Sequence, residues 1–168
     1  MKALKSEVIF KFSSVKNQLL HFFTISGLPL SLQKVTQLVG KPVSFYEADI
    51  TDKTSLRTVF TKEKIDCVLH IAALKSVSES CDSPLKYYAV NMAGSIHLME
   101  IMEEFNVKKI VFSSSSTVFG VPEYLPIDES HPTGKCINPY GRTKYFFEEM
   151  LRDLAHSKKV ILTGFERL

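Results

Sequence analysis

The alternation of apolar and polar positions becomes regular from residue 43. The stretch "VSFYEADI" (43–50) is a short β-branched and aromatic run ending near an acid, and "DKTSLRTVFTKEK" (52–64) then sets Leu56, Val59 and Phe60 at helical spacing. A strand followed by a helix is predicted. "DCVLHIAAL" (66–74) is almost unbroken in its apolar character, the pattern of a strand covered on both faces. Beyond Pro84, "LKYYAVNMAGSIHLMEIMEEF" (85–105) carries Val90, Ile96, Leu98, Met99, Ile101 and Met102 along a long helix. "KKIVFSSSS" (108–116) reads as another buried strand that ends in four serines. A loop bearing Pro and Gly, from Gly120 to Pro139, leads into the helix "YGRTKYFFEEMLRDLAHS" (140–157), and "KVILTGF" (159–165) is one more strand.

Strands and helices alternating at these intervals imply βαβ crossovers and an α/β fold with a doubly wound, Rossmann-like parallel sheet. Ligands of such sheets bind beyond the carboxyl ends of the strands. Those ends carry Asp49, the "HIAALK" turn and the serine run. The first forty residues depart from the pattern. A dinucleotide-binding sheet opens with a strand, a glycine-rich turn and a helix whose N-terminus receives the pyrophosphate. Before position 90 the chain has only Gly27 and Gly40, so no GxGxxG spacing can be drawn. "EVIFKFSSVKNQLLHFFTISG" (7–27) predicts a strand and a helix without that cradle.

Composition narrows the picture further. With 168 residues and 45% hydrophobic content the chain can bury a real core. A net charge of +3, from 21 basic and 18 acidic residues spread evenly, argues against nucleic acid or an anionic membrane as partner. No apolar run approaches the roughly 18 to 20 residues of a membrane span. Lys11 and Lys16 interrupt the opening stretch, so a signal or transit peptide is not expected. Cys67, Cys81 and Cys136 show neither CxxC nor Cys/His spacing, which points away from disulfides or zinc and toward a reducing, cytoplasmic home.

The candidate chemistry is in "NPYGRTK" (138–144). Asn138 is a good helix cap and Pro139 suits the first helical position, which puts Tyr140 in the first turn, at the positive end of the helix dipole. Lys144 follows four residues on, over the same face, where its ammonium favours a phenolate and draws the tyrosine pKa down. Such a tyrosine can give or take a proton at neutral pH. Tyr and Lys at this spacing also occur on many plain surface helices. The serines read equally as polar residues leaving a sheet, Asp49 as a turn residue, and Met92, Met99 and Met102 as packing. His70, within an apolar run, reads as a hydrogen-bonded core residue, and nothing marks Cys136 as a nucleophile.

The order of "HIAALKSVSES", "VFSSSSTVFG", "YLPIDESHPTG" and "NPYGRTK" resembles the extended short-chain dehydrogenase/reductase family and, within it, the UDP-glucose (UDP-galactose) 4-epimerases. The likeness runs from about Leu28 to Leu154. Related nucleotide-sugar dehydratases place acids after the corresponding threonine, whereas here Thr117 is followed by Val118, which favours epimerase. The resemblance implies NAD as cofactor and a UDP-sugar as substrate. It makes Tyr140 the acid/base at the sugar 4-hydroxyl and Lys144 the holder of the nicotinamide ribose. Ser115, twenty-five residues before Tyr140, would hydrogen-bond the 4-oxygen, with Ser116 and Thr117 lining the sugar pocket. Asp49 and Ile50 would contact the adenine end, and Ile71, Ala72 and Lys75 the rest of the cofactor. Asn91 lies close to that layer.

Set against the family, the chain lacks the glycine-rich first turn and the C-terminal substrate domain. It also carries Ser116 and Phe119 in place of the family's Ala and Tyr, and Ala72 and Ala73 for its AG. Residues 1–30 then form an atypical N-terminal segment and 31–168 a partial NAD(P)-binding Rossmann-like domain. Two readings follow. One is an NAD-dependent epimerase of galactose metabolism. The other is a truncated, inactive fragment acting by association. The helices Pro84 to Phe105 and Tyr140 to His156 resemble the dimer-forming pair of the family, which implies a homodimer or, for the fragment, pairing with itself or with a full-length enzyme.

Overall fold

The computed structural model describes residues 7–11, 20–24, 34, 37–38, 40, 44–157 and 160–166. Six strands form one sheet: β1 (Glu7–Lys11), β2 (Leu20–Thr24), β3 (Ser44–Tyr46), β4 (Cys67–His70), β5 (Lys109–Ser113) and β6 (Ile161–Glu166), in the order β3-β2-β1-β4-β5-β6. The pairs β2 with β3, β4 with β5 and β5 with β6 are parallel. β1 is antiparallel to both β2 and β4. Five strands therefore run one way and β1 alone runs against them.

That reversal corrects the expectation of a strand and then a helix over 7–27, because Leu20–Thr24 is a strand. Its physical reason is length. A parallel neighbour needs a crossover of roughly a dozen residues or more, whereas antiparallel neighbours can be joined by a short loop. Only residues 12–19 separate β1 from β2.

From β3 onward the predicted order holds. Helix α1 (Lys53–Lys62) begins at Asp52, whose carboxylate accepts the Thr54 amide at 2.9 Å, and buries Leu56, Val59 and Phe60. Short helices α2 (Val77–Asp82) and α3 (Pro84–Tyr87) lead through a π-helical turn, Tyr88–Ala93, into α4 (Gly94–Glu104). Gly94 belongs where it is because a Cβ there would lie 2.9 Å from Ile50 Cγ2. Helix α5 (Pro139–His156) follows a 3₁₀ turn, Ser116–Phe119, and the loop beyond it. The core joins Val68, Ile110 and Phe112 of the sheet to Leu98, Ile101 and Met102 of α4 and to Phe147 and Leu151 of α5.

Because β3, β4 and β5 share a direction, their carboxyl ends open on one edge of the sheet. Asp49, the turn from Ile71 to Lys75 and the residues Ser113 to Thr117 all lie at that edge, where a ligand of an α/β sheet binds.

Candidate active site

Helix α5 starts as its sequence predicts. Asn138 Oδ1 accepts the Gly141 amide at 2.7 Å, and Pro139 occupies the first turn. Tyr140 is buried in a small cluster with Leu74 and Tyr87, against Val90. The glycine after it lets the helix approach the serine turn. A Cβ at position 141 would stand 3.0 Å from Thr117 O and 3.2 Å from Thr117 Oγ1.

Lys144 is 4% exposed, and its Nζ donates to Ser113 O at 2.8 Å. The same nitrogen stands 4.8 Å from the ring centre of Phe112 and 5.9 Å from that of Tyr140. Burial pushes the amine down to about 8. An ammonium carries three donors. One goes to Ser113 O.

Ser115 is buried at the end of β5, and its Oγ accepts from Thr117 Oγ1 at 3.0 Å and from the Thr117 amide at 3.3 Å. Both bonds use lone pairs, which leaves the Ser115 hydroxyl proton available to donate. Thr117 is half-buried and Ser116 is exposed beside it.

The turn after β4 is tied to α5 through Asn91, in the π-helical turn. Asn91 Oδ1 accepts the Leu74 amide at 2.8 Å, and its Nδ2 donates to Leu74 O at 3.0 Å and to Thr143 Oγ1 at 3.2 Å. Thr143 Oγ1 in turn donates to Tyr140 O at 2.7 Å. An insertion in a helix is a common device for aiming one side chain at a functional site. Within this turn Ala72 is buried, while Ile71 and Lys75 face outward.

Asp49 sits apart from that cluster, at the end of β3. Its Oδ1 accepts from the amide and hydroxyl of Thr51 at 2.8 and 2.7 Å, so this oxygen is engaged within its own turn. Ile50 is buried against Gly94. Tyr140, Lys144, Ser115 and Thr117 are thus brought together around the exit of β5, and Asp49 and Ile50 follow β3, three strands beyond β4, on the same edge.

His70 is a core residue. It packs edge-on against Phe147, and its Nε2 pairs with Ser95 Oγ at 2.8 Å. Ser95 donates its own proton to Asn91 O, so the Nε2 must carry the hydrogen. Burial, with a lesser push from the Lys144 charge, lowers His70 to about 3 and keeps it neutral. Cys136 is buried with its thiol against Val118 O and pushed up by burial. The residues that sequence reasoning passed over are Thr143, Ser114 and Glu148. The last lies four residues beyond Lys144, and that spacing was its one signal.

A family model described as GDP-mannose 4,6 dehydratase matches residues 26–165. The chain belongs to this family. Its curated relatives include a UDP-glucose 4-epimerase of Drosophila melanogaster, 54% identical over 132 residues, which are 79% of this chain and 38% of that protein. The UDP-glucose 4-epimerase of Homo sapiens is 53% identical over 133 residues, again 79% of this chain and 38% of that one. Among solved structures, UDP-glucose 4-epimerase from Bifidobacterium longum in complex with NAD+ and UDP superimposes with a TM-score of 0.76 at 43% identity. That match covers 81% of this chain and 41% of the other. The chain spans well under half the length of these relatives. The similarity lies with epimerases and accords with Val118, where the dehydratase pattern has an acid.

Proposed function

We propose that this chain carries the proton-transfer centre of an NAD-dependent UDP-glucose 4-epimerase, interconverting UDP-galactose and UDP-glucose. The observation that supports this best is the burial of Lys144 between the Tyr140 ring and Ser113 O at the end of β5, two residues before Ser115, with donors to spare. A buried ammonium with unfilled donors suits the hydroxyls of a ribose. The residues present therefore fit the nicotinamide-ribose end of NAD. For the pyrophosphate end, β1 and β2 are antiparallel neighbours, so the described residues offer no helix N-terminus after the first strand.

When bound, NAD supplies the acceptor and donor for the hydride of the sugar C4. Tyr140 takes the proton of the 4-hydroxyl as the hydride leaves, and returns it when the hydride comes back on the opposite face. Lys144 holds the ribose and places a positive charge near the phenolic oxygen. Ser115 donates to the 4-oxygen, and Ser116 and Thr117 border the sugar. Asp49 and Ile50 would hold the adenine end, and Ile71, Ala72 and Lys75 the rest of the cofactor. The Asn91 bonds fix the Ile71–Lys75 turn relative to Tyr140.

The reading extends to assembly and location. Ile96, Met99, Met150, Leu154 and Val160 line a groove between α4 and α5, edged by Glu100 and Glu103, which suits pairing of two copies through these helices. All three cysteines carry free thiols, as a cytoplasmic protein would. No described helix is long and apolar enough to cross a membrane. The test is cofactor binding by the purified chain, conversion of UDP-galactose, and light scattering for the dimer. Turnover lost in Tyr140→Phe supports the reading. A chain that binds no NAD and converts no UDP-galactose contradicts it.

A further inference from the structure

The neighbourhood of Tyr140 holds another buried ionisable group that the proton transfer does not use. Glu148 lies on α5 one turn beyond Lys144 and is 0% exposed. A carboxylate is rarely removed from water without partners. Here Ser114 Oγ donates to Glu148 Oε1 at 2.5 Å, and Arg152 Nη2 donates to Oε2 at 3.2 Å. A hydrogen bond away from water is electrostatically stronger than one in water.

The placement of these bonds matters more than their strength. Lys144 holds Ser113 through its carbonyl, and Glu148 holds Ser114 through its hydroxyl. Two successive residues leaving β5 are thereby fixed to two successive turns of α5. The next residue is Ser115. Below them, Gly141 packs on Thr117, so the helix and the strand exit meet at three levels.

We propose that Glu148 is a positioning residue. Through Ser114 it sets the height of the β5 exit against α5, and with it the distance from the Ser115 hydroxyl to the Tyr140 phenol. This rests on the roles given above to Ser115 and Tyr140. A purely structural Glu148 would contribute only to global stability, and an apolar side chain of similar volume could then replace it without consequence for the serines.

The experiment compares Glu148→Gln, Glu148→Met and Ser114→Ala in the full chain, by amide hydrogen exchange and by kcat and KM for UDP-galactose with NAD. Gln keeps an oxygen for Ser114, and Met does not. In Glu148→Met and Ser114→Ala, exchange at Ser114 to Thr117 is expected to rise about ten-fold or more while α1 and α4 are unchanged, and Gln restores protection. The kcat is expected to fall about a hundred-fold in Glu148→Met, with KM within about three-fold, as for a displaced catalytic group. Exchange that rises equally along the chain, or not at all at Ser114 to Thr117, overturns the proposal. If Glu148→Met does not fold, Ser114→Ala decides by the same criterion. If the unsubstituted chain shows no turnover, the epimerase reading fails, and the local exchange pattern alone decides the role of Glu148.

Discussion

Lys144 Nζ stands 5.9 Å from the centre of the Tyr140 ring, one turn back on the same helix, with Phe112 at 4.8 Å and the Ser113 carbonyl at 2.8 Å. Both residues are buried, so the pair is part of the interior and not a decoration of a surface helix. The ring faces and the carbonyl offset some of the desolvation of the ammonium. They do not offset all of it, since the amine is held at about 8.

That displacement gives the first prediction. An amine lowered from 10.5 to about 8 binds fewer protons folded than unfolded between those pH values. Stability should therefore rise with pH from about 8 to about 10.5, by an amount approaching about 3 kcal/mol. Below 8 both states are charged and this contribution is flat. Urea unfolding of the chain and of Lys144→Met across this range checks it, because only the unsubstituted chain should show the rise.

His70 gives the opposite limb. Its folded value of about 3 lies below the ordinary 6.5, so the unfolded state takes up a proton that the folded state refuses. Stability should fall as pH drops from about 6.5 toward 3, with a slope near about 1.4 kcal/mol per pH unit from this residue. In His70→Gln that component of the slope should vanish. Acid unfolding curves of the two proteins make the comparison.

Asn91 should be costly to remove. Asn91→Ala leaves the Leu74 amide and carbonyl without their partners and frees Thr143. A loss of about 3 kcal/mol is expected, since each stranded buried polar group costs about 1 to 3 kcal/mol. Chemical denaturation measures it. Asn91→Asp should lose at least as much, because it keeps an acceptor for the Leu74 amide but sets a carboxylate oxygen against Leu74 O where the donor stood.

Some of this was legible in the residues, and the reason is local. Asn138, Pro139 and the apolar spacing fix α5, found at Pro139–His156, because a cap, a proline and a periodic face all act within a few residues of chain. The apolar runs of β4 and β5 declare their burial in the same way. The β1–β2 reversal depends on which strand lies beside which, and the helical pattern drawn through 7–27 does not encode that. The π-helical turn at Tyr88–Ala93 lies inside a continuous helical pattern, so nothing in its spacing marks the inserted residue. Glu148 and Glu149 are adjacent acids in "FFEEML". Only packing against the end of β5 buries the first and exposes the second.

Conversion of UDP-galactose by the purified chain supplied with NAD, run beside Tyr140→Phe, tests the central claim most directly. The phenylalanine keeps the ring in its cluster with Leu74 and Tyr87 and removes only the oxygen that carries the proton. The account predicts measurable conversion that falls by about two to four orders of magnitude in the variant, with unfolding unchanged. Equal conversion by both chains would contradict it, as would a complete lack of conversion by the unsubstituted one.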